Sequence, residues 1–126
     1  MRFFLLFLLT FSAISLYADA PMLRATPYKF VEKSIGKGKP HFVEFGSDSC
    51  HSCQVMGKEL YKTKQNHPEY NIEFVDVKHE REAAYKFQIR MIPTQVIFDA
   101  NGKEVYRHIG LLGQEELAKL FNTYKF

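Results

Sequence analysis

The sequence contains no tryptophan and only two cysteines among its 126 residues. Two cysteines cannot form the framework of several disulfides that stabilises many small secreted domains. A four-ligand zinc site would need two further, well-placed ligands. Positive charge is only slightly in excess, with 17 Lys and Arg against 14 Asp and Glu and a formal net charge of +3. This excess is too small to indicate a nucleic-acid partner.

Internal repeats, low-complexity tracts and Gly- or Ser-rich linkers are also absent from the sequence after its N-terminal segment. A chain of this length forms one small domain. Hydrophobic residues make up 46% of the sequence and charged residues 25%, which is ordinary for a globular protein with a packed core. We therefore expect one domain over residues 19–126.

The N-terminal segment has the pattern of a secretory signal peptide. Arg2 supplies a positive charge, a mainly apolar stretch follows over residues 3–16, and Ala18 offers a small residue for cleavage. Removal of residues 1–18 would release the domain into the periplasm. An uncleaved membrane anchor is the alternative, but the mainly apolar run of about fifteen residues is shorter than the roughly 20 that a spanning helix needs.

Both cysteines lie in a single C-x-x-C motif, as Cys50 and Cys53. A bridge across two intervening residues hardly constrains the unfolded chain, so reactivity explains the pair better than stabilisation does. If a helix begins near Cys50, its sulfur faces unpaired N–H groups and the positive end of the helix dipole, which favour the thiolate. We interpret Cys50 as the attacking sulfur and Cys53 as the buried thiol that resolves the mixed disulfide.

Hydrophobic periodicity and turn residues predict eight elements in the order helix, strand, helix, strand, helix, strand, strand, helix. The helices are expected over residues 21–35, from residue 50 to a break at 66–68, over 80–87 and over 113–124. The strands are expected over residues 41–45, 71–77, 94–98 and 103–109. Asp48 or Ser49 is expected to cap the second helix. This order predicts an α/β fold in which a mixed four-stranded sheet has helices on both faces.

The chain resembles the thioredoxin family from about residue 30 to its C-terminus, including periplasmic members such as the C-terminal domain of the DsbD electron carrier. The resemblance implies a thioredoxin fold and thiol-disulfide oxidoreductase activity, with Cys50 and Cys53 alternating between dithiol and disulfide. The segments that carry it are Val43-Glu44-Phe45, Cys50-His51-Ser52-Cys53, Ile89-Arg90-Met91-Ile92-Pro93-Thr94, the Asn101-Gly102 hairpin and Gly110.

The same resemblance assigns roles to residues outside the dithiol. It implies a cis peptide bond before Pro93, with Ile92 and Pro93 beside the bound substrate; an ordinary trans proline on an edge strand is the alternative. Glu44 aligns with the buried acid of the family, which would accept the proton of Cys53. The alternative for Glu44 is a strand residue that faces solvent.

Three positions depart from the family pattern. Ser49 occupies the place where a tryptophan usually precedes the first cysteine, so this part of the substrate surface is less apolar. Phe74 occupies the place of the lysine that often accompanies the buried acid, which leaves the charge tuning of that acid open. His51 lies on the substrate side of the dithiol and, if protonated, adds positive charge beside Cys50; the alternative is a solvated residue at the start of a helix.

The direction of electron transfer is inferred from single residues. Ile92 before the proline resembles reducing thioredoxins, as does a histidine that follows the first cysteine instead of preceding the second. We therefore expect a periplasmic, monomeric reductant of protein disulfides. Its expected electron donor is a thiol carrier in the membrane, and apocytochrome c thiols are candidate substrates. We expect no cofactor, metal or nucleic acid. A disulfide oxidase or isomerase with the same site is one alternative.

A copper-binding module is another alternative, in which Cys50, Cys53 and either His51 or His108 hold a soft metal ion. The two-residue gap between the cysteines disfavours it. The histidines outside the motif lack metal-site spacing, and we expect them on the surface: His41, His67, His79 and His108.

Overall fold

The computed structural model describes residues 20–126, so the signal peptide expected over residues 1–18 lies outside the described part. The described residues form four helices and four strands in the predicted order: α1 (Tyr28–Ser34), β1 (His41–Gly46), α2 (His51–Asn66), β2 (Ile72–Asp76), α3 (Arg81–Lys86), β3 (Thr94–Phe98), β4 (Glu104–Ile109) and α4 (Gln114–Thr123). Within residues 20–126, no helix combines the length and apolar character needed to cross a bilayer.

The four strands form one mixed sheet with the spatial order β2-β1-β3-β4. Strand β1 pairs in parallel with β2 and antiparallel with β3, and β3 pairs antiparallel with β4. The parallel pair requires a crossover connection, which α2 provides, whereas β3 and β4 need only the short turn that Asn101-Gly102 supplies. The predicted α/β architecture is confirmed.

Strand β1 lies in the centre of the sheet, and all six of its residues are buried. Successive side chains of a strand point to opposite faces, so β1 contributes to two hydrophobic clusters. Val43 and Phe45 pack with α1 and α3 on one face, whereas Phe42 packs with α2 and α4 on the other. The helices on both faces therefore hold β1, and the loop that follows it, in a fixed position.

The helix predicted over residues 21–35 is wrong in its first half, because α1 begins only at Tyr28. Ala25 bridges Phe74 on β2 in parallel, and the Thr26 N–H donates to the Phe74 carbonyl at 2.7 Å. Pro27 then precedes the helix with an extended ψ of 133°. The residue before a proline, here Thr26, is disfavoured in the helical region. The chain therefore remains extended up to Pro27, and α1 starts directly after it.

The prediction that the four remaining histidines lie on the surface is wrong for His41. His41 is only 5% exposed, because it begins the central strand and pairs with Phe98 on β3. Its Nδ1 atom lies 3.7 Å from the Glu73 carboxylate on β2. His67 and His79 are exposed, as predicted, and His108 is half-buried on β4.

Candidate active site

The segments that carry the candidate site meet at one edge of the sheet. Strand β1 leads into the loop 47–50, and its parallel neighbour β2 ends at the same edge with Asp76. Strand β3 is antiparallel, so it starts there, with Thr94 opposite Phe45. Strand β4 returns to this edge, with Ile109 opposite Thr94. Pairing alone therefore brings the C-x-x-C motif, the loop before β3 and the end of β4 together.

Cys50 is the N-cap residue of α2, and its backbone is extended, with φ −94° and ψ 122°. The N–H groups of Ser52 and Cys53, in the first turn of the helix, donate to the Cys50 sulfur. The hydroxyl of Ser52 lies 3.4 Å from the same sulfur. The first turn of a helix offers N–H groups without intrahelical partners, and here the thiol of Cys50 uses them.

The predicted capping of α2 by Asp48 or Ser49 is wrong, because the helix has no side-chain cap. The Ser49 hydroxyl is engaged elsewhere: it lies 3.0 Å from the Ser47 hydroxyl and accepts from the Lys78 ammonium at 2.5 Å. A side-chain cap would compete for the N–H groups of the first turn. Its absence leaves these donors to the Cys50 sulfur.

The two cysteines are free thiols with opposite properties. Burial tends to raise the pKa of Cys50, but hydrogen bonds from Cys53 and Ser52 outweigh it, so the pKa lies below the ordinary value. Burial, followed by the hydrogen bond that it donates to Cys50, raises the pKa of Cys53 to about 12. Cys50 is half-buried, whereas Cys53 is fully buried. The geometry thus favours the thiolate form of Cys50 and keeps the thiol of Cys53 protonated.

Gly46 makes room for the buried thiol. A Cβ atom at this position would lie 3.1 Å from the Cys53 sulfur and 3.1 Å from Cε2 of Phe74. Contacts this short are rare between real side chains. The glycine at the end of β1 therefore allows α2 to seat Cys53 directly against the sheet.

Glu44 is fully buried on β1, so the solvent-facing alternative is wrong. Burial raises the pKa of its carboxyl group well above the ordinary value, although a hydrogen bond from Gln95 opposes the shift and the charge of Cys50 adds to it. The charge of Glu44 in turn raises the pKa of Cys53. The carboxyl group and the two thiols are therefore electrostatically coupled, so the protonation state of each affects the others.

Two polar residues lie around Glu44 in places that the sequence did not predict, since Gln95 was not singled out and His108 was expected on the surface. Gln95 is fully buried on β3, and its Nε2 atom lies 3.1 Å and 3.4 Å from the two carboxylate oxygens. His108 on β4 contacts Gln95 in turn, with Nδ1 2.8 Å from Oε1. An amide side chain in a predicted buried strand, directly before the apolar run Val96, Ile97 and Phe98, was the signal in the sequence that could have revealed Gln95.

The segment before β3 lies beside the dithiol edge. The Ile92–Pro93 peptide bond is cis. The Pro93 carbonyl accepts from the Gly110 N–H at 2.9 Å, and the Thr94 hydroxyl donates to the Met91 carbonyl at 2.6 Å. The first bond ties the segment to the end of β4, and the second holds the turn within the segment.

Three large apolar side chains are exposed at this edge, which sequence analysis also missed: Met91 (63% exposed), Ile109 (54%) and Leu111 (52%). Ile92, which follows Met91, is half-buried. Ser49 and His51, which flank Cys50, are exposed. The apolar area that is missing at Ser49 is thus exposed at these other positions.

One group of potential metal ligands occurs among residues 20–126, formed by Asp48, Asp76 and His79. It contains neither cysteine. Asp76 already accepts from the backbone N–H groups of Lys78 and Asp48, at 2.9 Å and 3.4 Å. Its carboxylate therefore serves to hold the loop that precedes α2.

Comparison with known proteins places this geometry in context. The model of the thioredoxin-like domain family matches residues 29–125. Thioredoxin of Mycoplasmoides gallisepticum is 29% identical over 90 residues, which cover 71% of this chain and 89% of that protein. A thiol:disulfide interchange protein, the TxlA homolog of Synechocystis, is 31% identical over 100 residues, covering 77% of this chain but only 53% of that protein.

The structure of a chloroplastic thioredoxin z superposes with a TM-score of 0.72 over 83% of this chain and 96% of that one. At 18% sequence identity this likeness concerns the fold alone. The architecture predicted from the sequence, a mixed four-stranded sheet between helices, is that of the solved thioredoxin.

Proposed function

This chain belongs to the thioredoxin-like family, and we propose that it is a periplasmic reductant of protein disulfides that uses Cys50 and Cys53. The observation that carries the proposal is the asymmetry of the pair: a half-buried thiol of lowered pKa at the start of α2, and a buried thiol whose pKa is raised to about 12. Only the thiolate attacks a disulfide, so the two cysteines have separate tasks.

The reaction transfers two electrons from the dithiol to the substrate. The Cys50 thiolate attacks one sulfur of the substrate disulfide, which breaks the S–S bond, forms a mixed disulfide and releases the first substrate thiolate. Cys53 then loses its proton, for which Glu44 in its ionised form is the buried acceptor. The Cys53 thiolate attacks the Cys50 sulfur, forms the Cys50–Cys53 disulfide and displaces the second substrate thiolate.

The substrate is a protein with an accessible disulfide. The cis Ile92–Pro93 segment and the exposed side chains of Met91, Ile109 and Leu111 offer an apolar surface beside Cys50. Ser49 and His51 border the dithiol on the polar side. Apocytochrome c with a disulfide between its haem-binding cysteines is a suitable candidate substrate, because it presents its two sulfurs on an unfolded segment.

The reducing direction is supported by Ile92 before the proline and by His51 directly after the first cysteine. In an oxidising compartment a reductant needs a continuous supply of electrons, which a thiol carrier in the membrane would deliver. An oxidase or isomerase with the same cysteines would differ in potential, from about −270 mV for thioredoxin to about −120 mV for a strong oxidant.

The direction is tested by equilibrating the Cys50–Cys53 pair with thiol buffers of defined potential. A value near that of thioredoxin supports the reductant, and a value near that of the strong oxidants overturns it. The Cys53→Ser variant should accumulate a mixed disulfide with the substrate, since its resolving thiol is missing. The matched Cys50→Ser variant should trap none.

The location is tested separately by expressing the full chain in a Gram-negative host. Removal of residues 1–18 predicts a periplasmic form that begins at Asp19, which intact mass determination identifies. Recovery of the unprocessed chain in the membrane fraction would favour the anchor instead.

A further inference from the structure

The residue beside Glu44 is determined by strand register. Four residues lie directly opposite one another across the whole sheet: Phe74 on β2, Glu44 on β1, Gln95 on β3 and His108 on β4. Phe74 provides no hydrogen-bond donor, so any partner of the buried carboxyl group in this row must come from β3. Gln95 occupies that position, 51 residues away in the chain.

We propose that Gln95 is a positioning residue of the dithiol reaction, which holds the Glu44 carboxyl group for proton transfer with Cys53, and that His108 fixes the orientation of Gln95. The inference rests on the proposed function. It adds that a neutral side chain, Gln95, positions the proton acceptor Glu44.

The orientation of the Gln95 amide follows from its partners. Its NH₂ group donates to Glu44 and, at 2.9 Å, to the Gly110 carbonyl, which can only accept. Its carbonyl oxygen therefore faces His108 and accepts from the Nδ1–H group at 2.8 Å. Rotating the amide by half a turn would place two carbonyl oxygens against each other at Gly110. The three partners thus hold a donor towards Glu44.

A donor favours the ionised carboxyl group, because hydrogen bonds to a charged form stabilise that form. Burial acts in the opposite direction and would leave an isolated Glu44 protonated, unable to accept from Cys53. Of the described titratable groups, Cys50 and Cys53 are the ones coupled by charge to Glu44, and both come from α2. Gln95 is therefore the residue on the sheet side that keeps part of the Glu44 population ionised.

The test separates the two chemical steps. Gln95→Met keeps the length of the side chain and removes its donor. We expect the attack of Cys50 on a small aromatic disulfide to change much less than the resolving step, because Cys50 takes its hydrogen bonds from Cys53 and Ser52. Resolution of the mixed disulfide should become about tenfold slower at pH 7, with its profile displaced to higher pH by about one unit, which corresponds to one lost hydrogen bond to an ionised group.

A double-mutant cycle with Glu44→Gln decides whether the effect passes through Glu44. In that background, Gln95→Met should leave resolution unchanged. An equal slowing in both backgrounds, or an unshifted pH profile in the single variant, would overturn the positioning role. His108→Phe, at a half-buried position, should shift the pH profile in the same direction as Gln95→Met. It replaces Gln95→Met as the test if the Gln95 variant does not fold. The exposed His67→Gln, at the opposite end of α2 from the dithiol, is the matched control and should change nothing.

Titration of the Glu44 carboxyl carbon by NMR tests the positioning without turnover. Its pKa should be higher in Gln95→Met than in the wild type, even if the protein reduces no disulfide. Failure of the wild type to cycle, together with a displaced titration, would refute the function and leave the positioning standing. Normal cycling with an undisplaced titration would refute the positioning alone.

Discussion

Alkylation of the reduced protein by iodoacetamide should modify Cys50 well before Cys53. At pH 7, a thiol with a pKa of about 12 is ionised in about one molecule in 100,000. A thiol at the ordinary value of 9.0 is ionised in about one in a hundred, and the pKa of Cys50 is lower still. The thiolate populations therefore differ by at least about a thousandfold.

Intrinsic nucleophilicity reduces this difference. The reactivity of a thiolate rises with its pKa, with a Brønsted coefficient of about 0.4–0.5. A pKa that is three units higher therefore makes the Cys53 thiolate roughly thirtyfold more reactive than the Cys50 thiolate. At least about a thirtyfold excess for Cys50 remains. Burial of Cys53 blocks the reagent as well and increases the ratio further.

The assay is a short pulse of iodoacetamide at pH 7, followed by digestion and mass spectrometry of the peptide that contains both cysteines. Fragmentation assigns the modified sulfur. The same pulse in denaturant, where burial and hydrogen bonds are lost, should modify the two cysteines equally. Modification of Cys53 at a rate comparable to that of Cys50 in the folded protein would refute the assignment of attacking and resolving thiols.

Three further variants test the surroundings of the dithiol. The wild type should lose stability as pH rises from about 4 to the folded pKa of Glu44, because in this range the folded state keeps a proton on Glu44 that the unfolded state has released. Glu44→Gln removes this loss, so its stability relative to the wild type should increase by about 1.4 kcal/mol per pH unit. An equal dependence of the unfolding free energy on pH in both proteins would contradict this. Gly46→Ala should lower the free energy of unfolding, measured in urea, by about 1–3 kcal/mol, because the added Cβ atom would lie 3.1 Å from the Cys53 sulfur. An unchanged stability would show that α2 can shift away from the sheet without cost. Ser52→Ala should raise the pKa of Cys50, measured by thiolate absorbance, and an unshifted titration would leave the Cys53 thiol and the backbone donors as the whole cause.

The order of the elements was predictable because it depends on local patterns. Apolar residues in β1, the polar break after α2 and the Asn101-Gly102 turn each indicate structure within a few residues of themselves. The placement of Cys50 at the start of a helix follows from the same patterns. Its depressed pKa is a local property too, since the donors are the adjacent Ser52 and Cys53.

Errors arose where distant segments override local preference. Residues 21–27 were predicted to be helical because Leu23 was counted with the apolar residues of α1, yet Thr26 pairs with the edge of β2, and Pro27 delays the helix. His41 is polar, yet it lies in a strand that neighbours cover on both sides. Ser49 has a good capping side chain, but Lys78, 29 residues away, engages its hydroxyl. Phe74 on β2, the strands beside His41, and Lys78 are all distant in the chain from the residues that they contact.

By itself the sequence determined which residues are the candidate reactive thiols, because the C-x-x-C spacing and the helix that follows it place Cys50 and Cys53 one turn apart. Only the tertiary structure decided what surrounds them. Glu44 meets Gln95 across 51 residues, and Gln95 meets His108 across 13, through the register of three strands. A shift of one residue in that register would turn each side chain to the other face of the sheet, and such long-range alignment is set by the packing of the whole domain.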